Sequence, residues 1–309
     1  MTTLTQTEIQ DRIPHRYENL LLDECLVPTE DNSKFSIQLN DNDALGRDIF
    51  LADHLNDRAL PTPILAEIAA LACIVSAGKI EPGTFAYFAA ITNFSIENGP
   101  VNGSVPLTGS TEKMSGKNGF YKYRFSMATN QQQVNGQLMA FYDTTGDSGG
   151  DTESIELLPY IADSLGQTTA IAPNSAKASN MTFVTTKHYH SDSEAVYGYQ
   201  YPDSHPLIKG HFPGNPVMMG VCQWLMLEDA MSHYFSEAFE DGSQQLTCNA
   251  QIFKADHTKV CDIKLATIVG HFTGNHWHVH TSAVKKVMFK QRVLPNDQLY
   301  IHISNISNA

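Results

Sequence analysis

The chain lacks any apolar stretch of the ~20 residues that a bilayer-crossing helix needs. Its longest apolar run, Pro63 to Ala77, is broken by Glu67. A helical membrane span is thereby excluded, and no membrane partner is expected. The opening residues, MTTLTQTEIQDR, have no apolar leader core, so the expected location is the cytoplasm. Cysteine is scarce and scattered: Cys25, Cys73, Cys222, Cys248 and Cys261 are odd in number and form no CxxC pair. That spacing argues against a disulfide framework and against a zinc site, and leaves reduced core thiols. Basic residues are also short, 20 Lys and Arg against 33 Asp and Glu, for a net charge of −13. An acidic surface repels phosphate backbones, so nucleic acid is not an expected partner. The deficit is uneven: residues 1–175 hold 10 basic and 22 acidic side chains, whereas 176–309 hold 10 and 11. An acidic protein partner would therefore dock on the second half. Neither a P-loop nor a dinucleotide fingerprint occurs, so no cofactor is expected.

What is present is enough apolar residue, 42% over 309 positions, for two cores of ordinary size. The segment TTGDSGGDTE (Thr144–Glu153) has no apolar anchor and reads as a solvated linker. The expected division is a first half over 1–143, a linker over 144–180 and a second half over 181–309. The short apolar patch Ile155–Ile161 interrupts the linker. In the first half, Pro63–Ala77 reads as a helix, with proline in the first turn and Gly78 ending it. Strand-like stretches follow at Phe85–Ile96, Val105–Met114, Phe120–Ala128 and Val134–Tyr142, separated by turn signals. The second half reads as strands at Met181–Tyr189 and Ala195–Tyr201, and a helix near Val221–Ala238. Further strands are expected at Gln245–Phe253, Val260–Val269, His276–Lys285 and Gln298–Ile303. The fold class expected is α+β, with an antiparallel sheet wrapped around a buried helix in each half.

One segment carries chemistry, GHFPGNPVMMGV (Gly210–Val221). Its glycines and prolines fix a loop that runs straight into an apolar helix. The N–H groups of a helix's first turn lack internal partners and can receive an oxygen that gains negative charge. A histidine in such a loop can move a proton near neutral pH. Together, His211 and the helix start suit removal of a proton next to a carbonyl. From this chemistry alone, a His211 that merely braces the turn is an equal reading.

The segment resembles the signature of the 3-hydroxyacyl-[acyl carrier protein] dehydratases, lacking only the proline usual at Met219. IPHRYENLLLDE (Ile13–Glu24) resembles that family's opening, GKIEPGTFAYFAAITNFSI (Gly78–Ile96) the stretch after its central helix; Gly103–Tyr142 is compatible with its closing strands, and Val284–Ile303 resembles the same strand pair. Residues 244–283 have no counterpart, and their strand order is left open. The resemblance implies a double hotdog, two antiparallel sheets each around a central helix. It also implies a catalytic His211, oriented by the carbonyl of Val217, with Gly220 N–H at the oxyanion.

The family's acidic residue lies fourteen positions after the histidine, which here is Leu225, a residue that cannot transfer a proton. Aligning Leu60-Pro61-Thr62 with the family's FPG places Glu67 on the acidic position, and His54 thirteen residues before it. Since the family pairs the histidine of one protomer with the acid of the other, the resemblance implies one complete site, His211 with Glu67. The second, His54 with Leu225, would be dead. Glu228, one turn from Leu225, is the rival acid.

The reading is thus a hydro-lyase forming trans-2-enoyl thioesters from carrier-bound or coenzyme A-bound 3-hydroxyacyl chains. Phe212, Met218 and Met219 are candidates to line the acyl channel, or else simply core. Lys285, Lys286, Lys290 and Arg292 form the densest basic cluster and the candidate carrier-docking surface, against a lysine-guarded strand edge. Alternating His276, His278 and His280 read as a surface strand rather than a metal site, since no carboxylate or cysteine spacing accompanies them. A hotdog thioesterase and a non-catalytic carrier-binding protein are the alternatives, and further association of the pseudo-dimer is allowed.

Overall fold

The structure, a computed structural model, describes residues 2–29, 31–54, 57–78, 85–143, 153–173 and 181–309. The first half runs β1 (Thr2–Leu4), α1 (Gln6–Gln10), β2 (Glu24–Thr29), β3 (Asn32–Ile37), β4 (Ala52–His54), β5 (Asp57–Leu60) and α2 (Thr62–Ser76). It continues with β6 (Phe85–Glu97), β7 (Val101–Asn102), β8 (Leu107–Lys117), β9 (Phe120–Ala128) and β10 (Gln133–Asp143). Then come α3 (Pro159–Ser164), β11 (Thr169–Ala170), β12 (Thr186–His190), β13 (Ala195–Gln200), α4 (Gly220–Ala238), β14 (Ser243–Lys254), β15 (Lys259–Thr273), β16 (His276–Phe289) and β17 (Gln298–Asn308).

Every side chain of α2 is buried. A helix that is apolar on all faces belongs inside a core, and Pro63 sits in its first turn, where a missing N–H costs nothing. Helix α4 is buried along most of its length and packs on α2, the sheet closing around both. Thr281, fully buried, joins the two helices to β16: Thr62 Oγ1 donates to its carbonyl at 2.8 Å and Trp224 Nε1 donates to its hydroxyl at 3.1 Å. Among the described residues, no helix is long and apolar enough to cross a membrane.

The two expected sheets are one. Among the described residues, fourteen strands run in the order β1-β2-β3-β8-β9-β10-β6-β16-β15-β14-β17-β13-β12-β11, and the halves meet where β6 pairs antiparallel with β16, Ala90–Ser95 against Ala283–Met288. A long strand left at an edge exposes a row of unpaired N–H and C=O groups. Here β6 and β16 satisfy each other's, so the sheet is continuous. A separate three-stranded sheet, β4-β5-β7, carries His54 at the end of β4.

The order also places residues 244–283. In the first half the sheet reads β3-β8-β9-β10-β6, and in the second β13-β17-β14-β15-β16. β16 therefore stands where β6 stands, β17 where β8 stands, and the hairpin β14–β15 fills the places of β9–β10. The chain visits that hairpin before β16 rather than last, a permutation that keeps every neighbour antiparallel.

Two expectations need correction. The strand expected over Met181–Tyr189 begins only at Thr186, because the N–H groups of Phe183 and Val184 donate to buried Asp229 Oδ2 on α4, at 2.7 and 2.9 Å, instead of to a ladder. The less structured stretch expected up to residue 180 holds α3 and β11, and the ends of its apolar patch, Ile155 and Ile161, are buried. Its Glu153–Ile155 stretch bonds along the β14–β15 turn, through Lys259 N–H to Glu153 O and Ile155 N–H to His257 O. The remainder, 144–152 and 174–180, lies outside the described residues.

Candidate active site

The loop before α4 is held by its own backbone. His211 N–H donates to Ile208 O at 3.2 Å, Val217 N–H to His211 O at 3.1 Å, and Phe212 and Asn215 exchange N–H···O bonds at 3.2 and 2.9 Å. Met218 N–H donates to Val293 O at 3.0 Å, tying the loop to the chain leaving β16. Inside it, His211 Nδ1 lies 3.0 Å from Val217 O. A carbonyl only accepts, so Nδ1 carries the hydrogen and Nε2 keeps the lone pair. Phe212 stacks on the imidazole with centroids 4.1 Å apart. Burial pushes the His211 pKa down to about 4, the neighbouring His15 adding to the fall and Glu67 opposing it. At neutral pH the ring is an uncharged base.

Glu67 projects from α2 and is 5% exposed. It faces α4 near Cys222, a thiol that burial raises. A carboxyl so enclosed needs a partner or a task. A third group stands between the two: His15, 4% exposed, has Nε2 3.5 Å from Glu67 Oε1 and its ring in edge contact with His211, centroids 5.1 Å apart. His15 was not singled out in the sequence. The signal was the Pro-His-Arg of the segment that resembles the family opening, to which no role was attached.

The segment after His15 grips the loop of the other half. Arg16 N–H donates to Gly210 O at 3.2 Å, Gly210 N–H donates to buried Glu18 Oε1 at 2.9 Å, and Asn19 Nδ2 donates to Leu207 O at 3.3 Å. Arg16 Nη1 donates back to the carbonyls of Ile13 and His15, both at 2.7 Å. His15 and His211 are thus fixed against each other across the halves.

Gly220 is the first residue of α4, so its N–H has no carbonyl a turn behind it to bond. A Cβ there would meet the ring of Phe289 at 3.1 Å, and Phe289 packs on Phe88 with centroids 5.1 Å apart. These two rings, also missed in the sequence, lie at the helix start. Of the candidate channel residues, Phe212 is half-buried beside His211, whereas Met218 and Met219 are enclosed in the core.

Leu225 is buried among core residues, and the side chain of His54 lies outside the described residues. Glu228 is occupied: Thr281 N–H donates to its Oε1 at 2.9 Å, both groups being buried. Glu228→Ala should leave that N–H unpaired, at a cost of about 1–3 kcal/mol, with turnover per folded molecule unchanged. Urea unfolding and kinetics on one preparation check this.

The basic cluster is divided. Lys290 pairs with Glu153 of the connecting segment, which also binds Lys259 at 2.6 Å and holds its own carboxyl near a pKa of about 2 through these two lysines. Arg292 lies over the ring of Tyr87 at 4.8 Å, whereas Lys285 is exposed. His276 and His278 are half-exposed on β16, and His280 is buried. The donor atoms of His15, Glu67 and His211 lie within 4.8 Å of one another, the one such group among the described residues. Its chemistry suits a metal, but four-coordinate zinc with bonds near 2.0–2.1 Å sets its ligands roughly 3.4 Å apart.

His205, like His211, is held at about 4 by burial, and His188 and His302 are lowered for the same first reason. Unfolded histidine titrates near 6.5. Below that value the unfolded chain binds protons that the native one refuses, so stability is whole above pH 6.5 and falls steadily toward pH 4. Urea midpoints across pH 8 to 4 should be level and then decline within that window.

A family model described as ApeI dehydratase matches residues 187–254, the span from β12 through the His211 loop and α4 to β14. No curated protein sequence matches. Solved structures similar to this chain include the dehydratase heterocomplex ApeI:P from Xenorhabdus doucetiae, at 13% identity over 44% of this chain and 91% of that one, TM-score 0.38. The dehydratase domain of RzxB from Pseudomonas fluorescens is 12% identical over 94% and 99%, TM-score 0.46. The dehydratase domain of the CurF module of the curacin polyketide synthase is 13% identical over 90% and 99%, TM-score 0.45.

Proposed function

We propose that this chain, which resembles the hotdog-fold dehydratases, removes water from 3-hydroxyacyl thioesters at one site shared by its two halves. The observation that carries the reading is the meeting of a neutral histidine base from the second half with an enclosed carboxyl from the first. His211 Nε2 takes a proton from C2, and the electron pair moves toward the thioester carbonyl. Gly220 N–H, free of a helical partner, receives the oxygen as charge builds. Glu67 gives its proton to the C3 hydroxyl, the C3–O bond breaks, and water and a trans-2-enoyl thioester leave. Every step is a proton transfer or an elimination, with no change of oxidation state to supply.

The thioester arrives on an acyl carrier protein or on coenzyme A. Lys285, exposed, and Lys286, half-buried, are the members of the basic cluster open to an acidic carrier; Lys290 becomes available only on release from Glu153. Product analysis after incubation with 3-hydroxyacyl thioesters of several lengths tests the reading. An enoyl thioester supports it, free acid and thiol mark a thioesterase, and binding without product marks a carrier-holding protein.

A further inference from the structure

Elimination leaves the site one proton transfer from where it began, with His211 protonated and Glu67 a carboxylate. Glu67 is buried and His211 half-buried, so the acid regains its proton by way of a neighbouring group before the next substrate. We infer that His15 is that group, taking the proton from His211 Nε2 and delivering it through its own Nε2 to Glu67 Oε1; this rests on the dehydratase reading above.

Three observations support the assignment. His15 is the group that touches both ends, 3.5 Å from Glu67 Oε1 and edge-on to the His211 ring. Neither of its nitrogens makes a hydrogen bond although both are buried. A core histidine that served packing alone would have at least one nitrogen satisfied, and a ring bound at neither is committed to neither tautomer. Its position is rigid, since its carbonyl is held by Arg16 and its ring lies edge-on to Phe212, centroids 5.0 Å apart. The remaining gap fits the reaction: donor atoms of all three residues lie within 4.8 Å of one another. Two hydrogen bonds of 2.8 Å meeting at one oxygen span roughly 4.6 Å, so the water just formed bridges the longer step. The balance closes. One proton leaves His211, one arrives at Glu67, and His15 ends neutral.

His15 then matters between turnovers, not within the first. In the full chain, His15→Gln should form one enoyl per site at close to the wild-type rate in stopped flow. Later turnovers should slow by roughly tenfold or more, the scale of a lost acid–base group. Added imidazole should restore the slow phase and leave the first turnover unchanged. His15→Asn, a smaller side chain that also cannot relay, should behave alike and guards against a folding defect of one variant. First and later turnovers slowed in equal proportion, or a variant that cycles like wild type, would overturn the assignment. Wild type that makes no enoyl overturns the dehydratase reading itself, and this is seen before any variant is compared.

Discussion

Gly210→Ala should destabilise the chain by about 3 kcal/mol and remove most of its activity, although the substitution adds one methyl group. A Cβ at Gly210 would run into the carbonyl oxygen of Arg16 and the side-chain amide of Asn19, with Glu18 Oε1 at 3.1 Å. Nothing there is the free end of a flexible side chain. Arg16 O belongs to backbone, and Asn19 and Glu18 bond each other in a buried pair at 2.9 Å. Room can be made only by parting the two halves where they grip, which strains the packing by about 1–3 kcal/mol and stretches two cross-half bonds worth about 1 kcal/mol each. The loss of activity should exceed that of a remote variant of equal stability, since residue 210 adjoins His211 and is bonded to Arg16 and Glu18, just after His15. Urea unfolding and kcat/KM measured against such a control decide it. Equal activity at equal stability would show that the grip supports the fold alone.

The second large effect is chemical. His211→Ala and Glu67→Gln should each lower kcat by about 10²–10⁴-fold, with unfolding midpoints moved far less than by Gly210→Ala. His54→Ala should turn over like wild type, because its partner position is Leu225, a hydrocarbon side chain enclosed in the core. Steady-state rates for the three variants check this, and equal loss in His54→Ala would mean that two sites work rather than one.

Much of this arrangement was legible in the residues. An apolar run opening on Pro63 specifies a buried helix whatever surrounds it, and Glu67, which breaks the run, stands out because carboxylates are costly there. Strand β9 falls at Phe120–Ala128, as its alternation and flanking turns require. The place of β14 and β15 was not legible, because an antiparallel hairpin satisfies the same local pattern wherever it is inserted in a sheet. The union of two sheets rests on β6 finding β16, a pairing that periodicity within either strand does not encode. The pairing of Lys290 with Glu153 was hidden for a related reason, since the acid sits in a polar connecting segment that reads as solvated. His15 was overlooked because a histidine between proline and arginine looks like a loop residue. Its meaning appears only when residues nearly two hundred positions apart are brought together.

The central claim is that His211 acts at C2 and Glu67 at the C3 oxygen, and deuterium exchange at C2 separates them most directly. A 3-hydroxyacyl thioester is incubated in D₂O with Glu67→Gln or His211→Ala, and the recovered substrate is weighed by mass spectrometry. Glu67→Gln keeps its base and loses its acid, so it should place deuterium at C2 without forming enoyl thioester. His211→Ala should do neither. Exchange that persists in His211→Ala, or elimination that persists in Glu67→Gln without exchange, would contradict the account.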